Sequence, residues 1–303
     1  MFNDKLTGLP ADTKEIIFDQ SGKFISRFNK PIYKKDLPPN VQRIEFSICF
    51  NQPIRKDSLP NSITHLIFGW YFNQPLDKGS LPDSITHLFF GDYFNQPVNK
   101  DSLPDSITHL TFGCNFNQPV NKNSLPDSIT HLTFGDYFNQ PVNKDSLPDS
   151  ITHLFFGLYF NQPVNKNSLP DSITHLTFGD YFNQPVNKDS LPDSITHLTF
   201  GCDFDQPINN NNLPDSLISL TFSRLNSAQS LDNLPNSLLH LKITYKLRQE
   251  INKLPDGLIT LKLPFGYRQP INNLPYGLKT LKIPTKYPIA NIKVPFGCEI
   301  IKK

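Results

Sequence analysis

Residues 102–145 read SLPDSITHLTFGCNFNQPVNKN followed by SLPDSITHLTFGDYFNQPVNKD, a 22-residue phrase and its near-copy. The phrase extends in both directions. Leu-Pro pairs open at Leu9 and Leu37, recur every 22 residues from Leu37 to Leu213, and continue at Leu234, Leu254 and Leu274. Self-similarity at a fixed period of this length is the signature of a solenoid, whose units are too small to bury their own apolar side chains and bury them against neighbours instead. In the first half of the phrase, Leu110 and Phe112 are two residues apart and so leave one face of a short strand, which sends His109 and Thr111 to the other. The second half is polar and holds a Pro, which suits turns and polyproline-like chain rather than helix.

The expected fold is therefore mainly β, a solenoid of about 13 units of 20–22 residues with one short parallel strand per unit and few or no helices. Two Phe columns run through it, one containing Phe46, Phe68, Phe90 and Phe112, the other Phe50, Phe72, Phe94 and Phe116. Burying one such ring is worth roughly 1.5–3 kcal/mol, so these columns should dominate stability. A parallel Asn column, Asn51 to Asn183, is expected to satisfy backbone groups at the turn beside the core. No linker interrupts the array, so residues 1–303 read as a single repeat domain. It divides into a lead (1–8), an atypical first repeat (9–36), regular 22-residue repeats (37–233), shorter 20-residue repeats (234–285) and a C-terminal cap (286–303). The first repeat carries about six extra residues near Ser21 to Phe24.

Composition removes the competing classes. The 28 prolines break any long helix, which excludes a helical bundle and a doubly wound nucleotide fold. No apolar run approaches the roughly 18 residues of a membrane helix, and the start, MFNDKLTGLP, has no apolar stretch to act as a signal peptide. The four cysteines, Cys49, Cys114, Cys202 and Cys298, form no Cys-x-x-Cys pair, and the Asn-rich chain has no Asn-x-Ser/Thr acceptor. Both features favour a reducing, cytoplasmic home, the host cytoplasm if the chain is viral. There is no Gly-rich phosphate loop, nucleophile elbow or paired-carboxylate signature, and the His and Asp residues fall in columns rather than one asymmetric cluster. The chain reads as non-enzymatic, with no cofactor and no metal.

Seven strict Phe-Asn-Gln-Pro tetrapeptides, the first at Phe50 and the last at Phe182, alternate with Leu-Pro-x-Ser-Ile-Thr-His-Leu. This pattern resembles the FNIP repeat, a relative of the leucine-rich repeat, over residues 9 to 290. The later units, such as LPDGLITLKLPFGYRQPINN, are similar to short bacterial-type leucine-rich repeats and lack the tetrapeptide. The resemblance implies a leucine-rich-repeat-like solenoid and a protein-interaction scaffold. FNIP-repeat proteins occur mainly in slime moulds and giant amoebal viruses, often behind an N-terminal F-box that recruits a ubiquitin ligase. With eight residues before Leu9 in this sequence, an F-box is not expected here. The function expected is binding of a protein partner through the strand face and adjacent loops. The alternatives are a structural or virion-associated assembly component, and a ligase substrate receptor whose F-box lies on another chain.

Three groups of residues are candidates for contact. His65, His87, His109, His131, His153, His175 and His197 form a ladder on the open strand face, either a pH-sensing or metal-binding stripe or one tolerated surface residue copied with the unit. Stacked imidazoles resist charging together, so stability is expected to fall below about pH 5.5. Trp70 with Tyr71, Tyr93, Tyr137, Tyr159 and Tyr181 sits where the copied unit varies, and exposed aromatics are favoured interface anchors. Asp101, Asp145 and Asp189 alternate with Asn123, Asn167 and Asn211, which either relieves the repulsion of like charges one turn apart or copies a duplicated 44-residue pair of units. Charge is the third signal. Residues 1–219 hold 16 basic against 23 acidic side chains, net −7, whereas residues 220–303 hold 13 against 4, net +9. Lys242, Lys262 and Lys282 share the strand face, with Arg248 and Arg268 close by, a patch suited to an acidic protein surface. Nucleic acid is not expected, since no reader motif accompanies the charge. The oligomeric state is not encoded in any feature of the sequence.

Overall fold

A computed structural model of the chain describes residues 6, 8–18, 26–209, 211–225, 230–251, 253–289 and 292–303. The extra residues expected near Ser21 to Phe24 lie outside these. Contacts group the chain into two compact units, residues 1–157 and 158–303, which are taken in turn.

The first unit is built from seven three-residue strands, β1 (Glu15–Ile17), β2 (Arg43–Glu45), β3 (His65–Ile67), β4 (His87–Phe89), β5 (His109–Thr111), β6 (His131–Thr133) and β7 (His153–Phe155). Each pairs in parallel with the next at equivalent residues, so Leu66, Leu88, Leu110, Leu132 and Leu154 are partners in register. Ile16 and Phe18 hold the Leu and Phe positions of the first strand, where Ile16 partners Ile44 and Phe18 stacks on Phe46. One 3-10 turn, Lys34–Asp36, lies between β1 and β2.

Packing follows from the repeat. The Leu, Ile and Phe columns are buried throughout. Within one turn of the solenoid Phe112 lies 3.8 Å from Phe116, and between turns Phe112 lies 5.9 Å from Phe134 and Phe116 6.1 Å from Phe138, all near-parallel. Beside them each Asn carboxamide oxygen accepts two hydrogen bonds from the following turn. Asn117 Oδ1 takes the Asn139 N–H at 2.9 Å and the Gln140 Nε2 at 3.1 Å. The Phe-Asn-Gln-Pro tetrapeptide thus couples an apolar column to a polar one, and the Asn satisfies backbone that the strand ladder does not reach. Ser hydroxyls do the same on the approach to the strand, as where Ser128 Oγ donates to the Ile107 carbonyl at 2.6 Å.

Two backbone positions explain residues that repeat without an evident packing role. Gly113 follows the second buried position of its strand, and a Cβ there would overlap the Gly91 carbonyl of the preceding turn. The column must be Gly because the backbones nearly touch. The other position adds a backbone cause to the alternation of Asp101, Asp145, Asn123 and their equivalents. Asp57, Gly79, Asp101, Asn123 and Asp145 all have φ between 59° and 75°. Gly, Asn and Asp are the residues that tolerate this left-handed backbone, so the fold fixes the set.

The second unit continues the pattern and then changes it. It contains β8 (His175–Thr177), β9 (His197–Phe200), β10 (Ser219–Leu225), β11 (His240–Leu247), β12 (Thr260–Lys262), β13 (Thr280–Ile283) and β14 (Glu299–Lys302), again all parallel in chain order. The change falls at Ser223, which takes the place of Gly201 one turn on. A Cβ at Gly201 would overlap the Gly179 carbonyl. Where Ser supplies that Cβ the tight turn is abandoned, and β10 and β11 run to seven and eight residues with a register shift between Phe222 and Arg224. Beyond it Ile243, Leu263 and Ile283 replace the first Phe column, and Leu247, Tyr267 and Tyr287 the second, all buried. Tyr287 Oη donates to the Gln269 carbonyl at 2.7 Å. The segment read as a C-terminal cap carries β14, whose residues partner those 19 positions earlier in β13, and Val294-Pro295 stands in for Leu-Pro 20 residues after Leu274.

Candidate interaction face

Strand alternation sends two residues of each strand away from the core, and the registers line them up into two outward columns. In the first unit one column is Glu15, Arg43, His65, His87, His109, His131, His153, and the other Ile17, Glu45, Ile67, Phe89, Thr111, Thr133, Phe155. In the second unit the columns are His175, His197, Ser219, His240, Thr260, Thr280, Glu299, and Thr177, Thr199, Thr221, Lys242, Lys262, Lys282, Ile301. The ladders read from the sequence are therefore real columns, and His240 extends the histidine register past the seven that the phrase makes obvious.

The imidazoles stack face to face at 4.2–4.3 Å from His65 to His153, and His175 stacks on His197 at 4.2 Å. Each Nδ1 lies 2.9 Å from the preceding Thr hydroxyl, as in Thr86–His87 and Thr130–His131. The Thr86 hydroxyl also lies 3.2 Å from the Thr64 carbonyl, so each imidazole is tethered at Nδ1 and leaves Nε2 as its open nitrogen. Burial first, and then the neighbouring histidines, hold His87 and His131 below the ordinary histidine value. Parallel rings aim their lone pairs in parallel, and among the described residues no group of three or more His, Cys, Asp or Glu is placed to hold a metal ion.

Trp70 and the five tyrosines all lie on the surface, from 38% exposed at Tyr159 to 51% at Trp70 and Tyr137. Tyr71 and Tyr93 are 5.0 Å apart and tilted by 33°, whereas Tyr159 and Tyr181 stack at 4.8 Å and 6°. Asn115 occupies the same position one turn after Tyr93, so in the first unit the aromatic column is interrupted before Tyr137. Cys114 shares this surface, where burial and the flanking Asp92 and Asp136 push its thiol up to about 11 and make it a poor nucleophile.

Lys242, Lys262 and Lys282 are direct partners across β11, β12 and β13. Burial, then the charges of Lys242, Lys303 and Lys282, lower the Lys262 ammonium from its usual value. Among the described residues no carboxylate lies within ion-pairing distance of the three, whereas the acidic first unit pairs its charges locally, as in Lys78–Asp101 at 2.9 Å and Lys122–Asp145 at 3.2 Å. Arg248 and Arg268 are exposed six residues beyond Lys242 and Lys262, past the strand proper and off the Lys column. An open polar cleft of about 330 Å³ between the Leu-Pro turns, lined by Asp215, Asp232, Asn233 and Asp256 among others, contains none of these candidates.

The FNIP Repeat family model matches residues 28–71, 72–115, 116–159, 160–203 and 204–246, each window opening on the Phe of a tetrapeptide or its variant. The giant-virus protein CroV588, described as having a novel circular leucine-rich-repeat structure, is 37% identical with a TM-score of 0.73. That similarity covers 97% of this chain and 50% of CroV588, so the chain spans half the length of that relative. YopM from Yersinia enterocolitica WA-314 is 18% identical over 88% of this chain and 60% of its own, with a TM-score of 0.47. No curated protein sequence is significantly similar to the chain. Among the described residues no helix is long and apolar enough to cross a membrane.

Proposed function

The chain belongs to the FNIP-repeat family, and from that premise we propose that it is a non-catalytic scaffold that holds a protein partner against its outward strand columns and adjacent loops. The observation that carries this reading is the Lys242, Lys262, Lys282 column. Three ammonium groups on successive strands, without a carboxylate partner among the described residues, cost self-repulsion that a purely structural role would not need. An acidic partner surface removes that cost and gains charge-assisted hydrogen bonds. The exposed Trp70 and tyrosines offer apolar anchors of the kind that dominate interface energetics. Four free thiols support a cytoplasmic setting.

Capture from host-cell lysate tests the reading, with the wild-type chain compared against a Lys242→Glu, Lys262→Glu, Lys282→Glu variant of matching circular dichroism. A partner retained by the wild type and lost by the variant is the expected result. Identical captures would remove the basic column from the site. Concentration-dependent self-association without any captured partner would replace the scaffold with an assembly component.

A further inference from the structure

The register shift that ends the tight turns creates a second basic feature, away from the Lys column. Across the shift Arg224 of β10 and Lys246 of β11 become direct partners, with Leu225 and Leu247 buried beside them. Neighbouring parallel strands set their backbones about 4.8 Å apart, and Arg248 follows two residues after Lys246. Three cations are thus gathered at the ends of two neighbouring strands. Among the described residues no carboxylate lies within ion-pairing distance of any of them. The Arg224 Nε is buried from solvent and makes no hydrogen bond, although a guanidinium N–H shut away from water and left unpaired is costly. The mutual influence of the three is visible in Lys246, whose ammonium is lowered from its usual value by burial and then by Arg248 and Arg224.

We propose that Arg224, Lys246 and Arg248 form a binding site for a phosphoryl group, and that the partner engages it through a phosphorylated side chain. The site rests on the scaffold reading, since it supplies the chemistry of one contact within that interface. The argument for phosphate over carboxylate is stoichiometric. A phosphomonoester brings nearly two negative charges and three acceptor oxygens, enough to take one charge-assisted bond from each of the two guanidinium groups and the ammonium together. A single carboxylate brings one charge and two oxygens and would leave two of the three cations unneutralised, against about one for the phosphomonoester. The tight 22-residue turns hold no counterpart, because the position equivalent to Arg224 is Trp70, Asp92, Cys114, Asp136, Leu158, Asp180 or Cys202.

The test uses the full chain and a fluorescein-labelled Gly-Ser peptide carrying one phosphoserine, its unphosphorylated twin and inorganic phosphate as competitor, read by fluorescence anisotropy at low salt. The phosphopeptide should saturate, the twin should not, and inorganic phosphate should displace the label. Arg224→Gln should weaken phosphopeptide binding about tenfold or more, the size expected on losing a charge-assisted bond. Arg248→Ala, at an exposed side chain that folding does not need, should weaken it as well and stands in if Arg224→Gln does not fold. Lys262→Glu, on the separate column, should change it less than either. Equal binding of both peptides, or phosphopeptide binding indifferent to Arg224→Gln and Arg248→Ala, would overturn the site. Loss of lysate capture in the triple Lys variant would still stand, so the two readings fail independently.

Discussion

The 22-residue turns and the 20-residue turns trace similar parallel strands with opposite modes of packing. In the longer turns, two Phe rings stack within each turn, an Asn column threads alongside, and a Gly column lets adjacent backbones almost touch. In the shorter turns, Leu and Ile replace the first ring, Tyr267 and Tyr287 the second, and Arg268 stands where the Asn column would run. A Cβ added at their Gly266 would meet nothing within 4 Å. The longer turn is therefore locked by backbone proximity and buried polar ladders, whereas the shorter turn, with Pro264 in the place of the column glycine, relies on apolar side chains.

Exchanging glycine for alanine separates the two kinds of turn most sharply. Gly113→Ala drives a Cβ into the Gly91 carbonyl and should cost at least about 3 kcal/mol. Gly266→Ala meets open space and should stay within about 0.5 kcal/mol of wild type. Denaturant midpoints of the two variants measure the contrast, and comparable losses would refute the account of the Gly column. A smaller contrast is expected at the turn ladder. Asn117→Ala strips the acceptor from the Asn139 N–H and the Gln140 amide and should cost about 1–3 kcal/mol. Arg268→Ala, at the equivalent place in a short turn, should cost no more than about 0.5 kcal/mol.

Acid should act on the long turns through their histidines. His87 and His131 titrate below the ordinary value in the folded chain, so the unfolded chain binds protons first as pH falls. The stability present above about pH 6.5, the unfolded histidine value, is lost as pH drops from there toward the lower folded values. Arg43, in register with His65, is the charged neighbour at the head of the ladder, and Ile67, Phe89, Thr111 and Thr133 beside it are uncharged. Melting temperature should therefore fall between pH 7.5 and 5, and a His87→Gln, His109→Gln, His131→Gln variant should flatten that slope. An unchanged slope would leave the ladder without an energetic role in this range.

Much of this contrast was legible in the sequence, because a period copies one structural solution and so exposes its constraints. The alternation of Leu110 and Phe112 with His109 and Thr111 placed the core and both outward columns, and the 20-residue step placed Lys242, Lys262 and Lys282 side by side. What escaped were features where the period breaks. Arg224 is the only basic residue of its column within the 22-residue turns, and its pairing with Lys246 depends on a one-residue register shift that spacing alone does not reveal. β14 hid behind Val294-Pro295. The Gly column was visible but unexplained, since a collision with the preceding backbone exists only once the turns are stacked.

The column that begins at Asp57 yields the smallest effects and tests whether charge or backbone selects its residues. Its left-handed φ predicts that Asn123→Ala, which keeps no polar side chain to support that backbone, loses about 1 kcal/mol, while Asn123→Gly loses a few tenths at most. Charge predicts otherwise. Asp101 is held below the usual carboxylate range by its hydrogen bond to Lys78, whose ammonium is raised in return, but both partners are largely in water, where such pairs contribute little. Asp101→Asn keeps the tolerated backbone and discards the ion pair, so its melting temperature should be indistinguishable from wild type in moderate salt. A clear loss in Asp101→Asn with none in Asn123→Ala would make the alternation of Asp and Asn an electrostatic device. The opposite result assigns the column to backbone geometry, with the ion pairs as passengers of a position that only Gly, Asn and Asp can fill without strain.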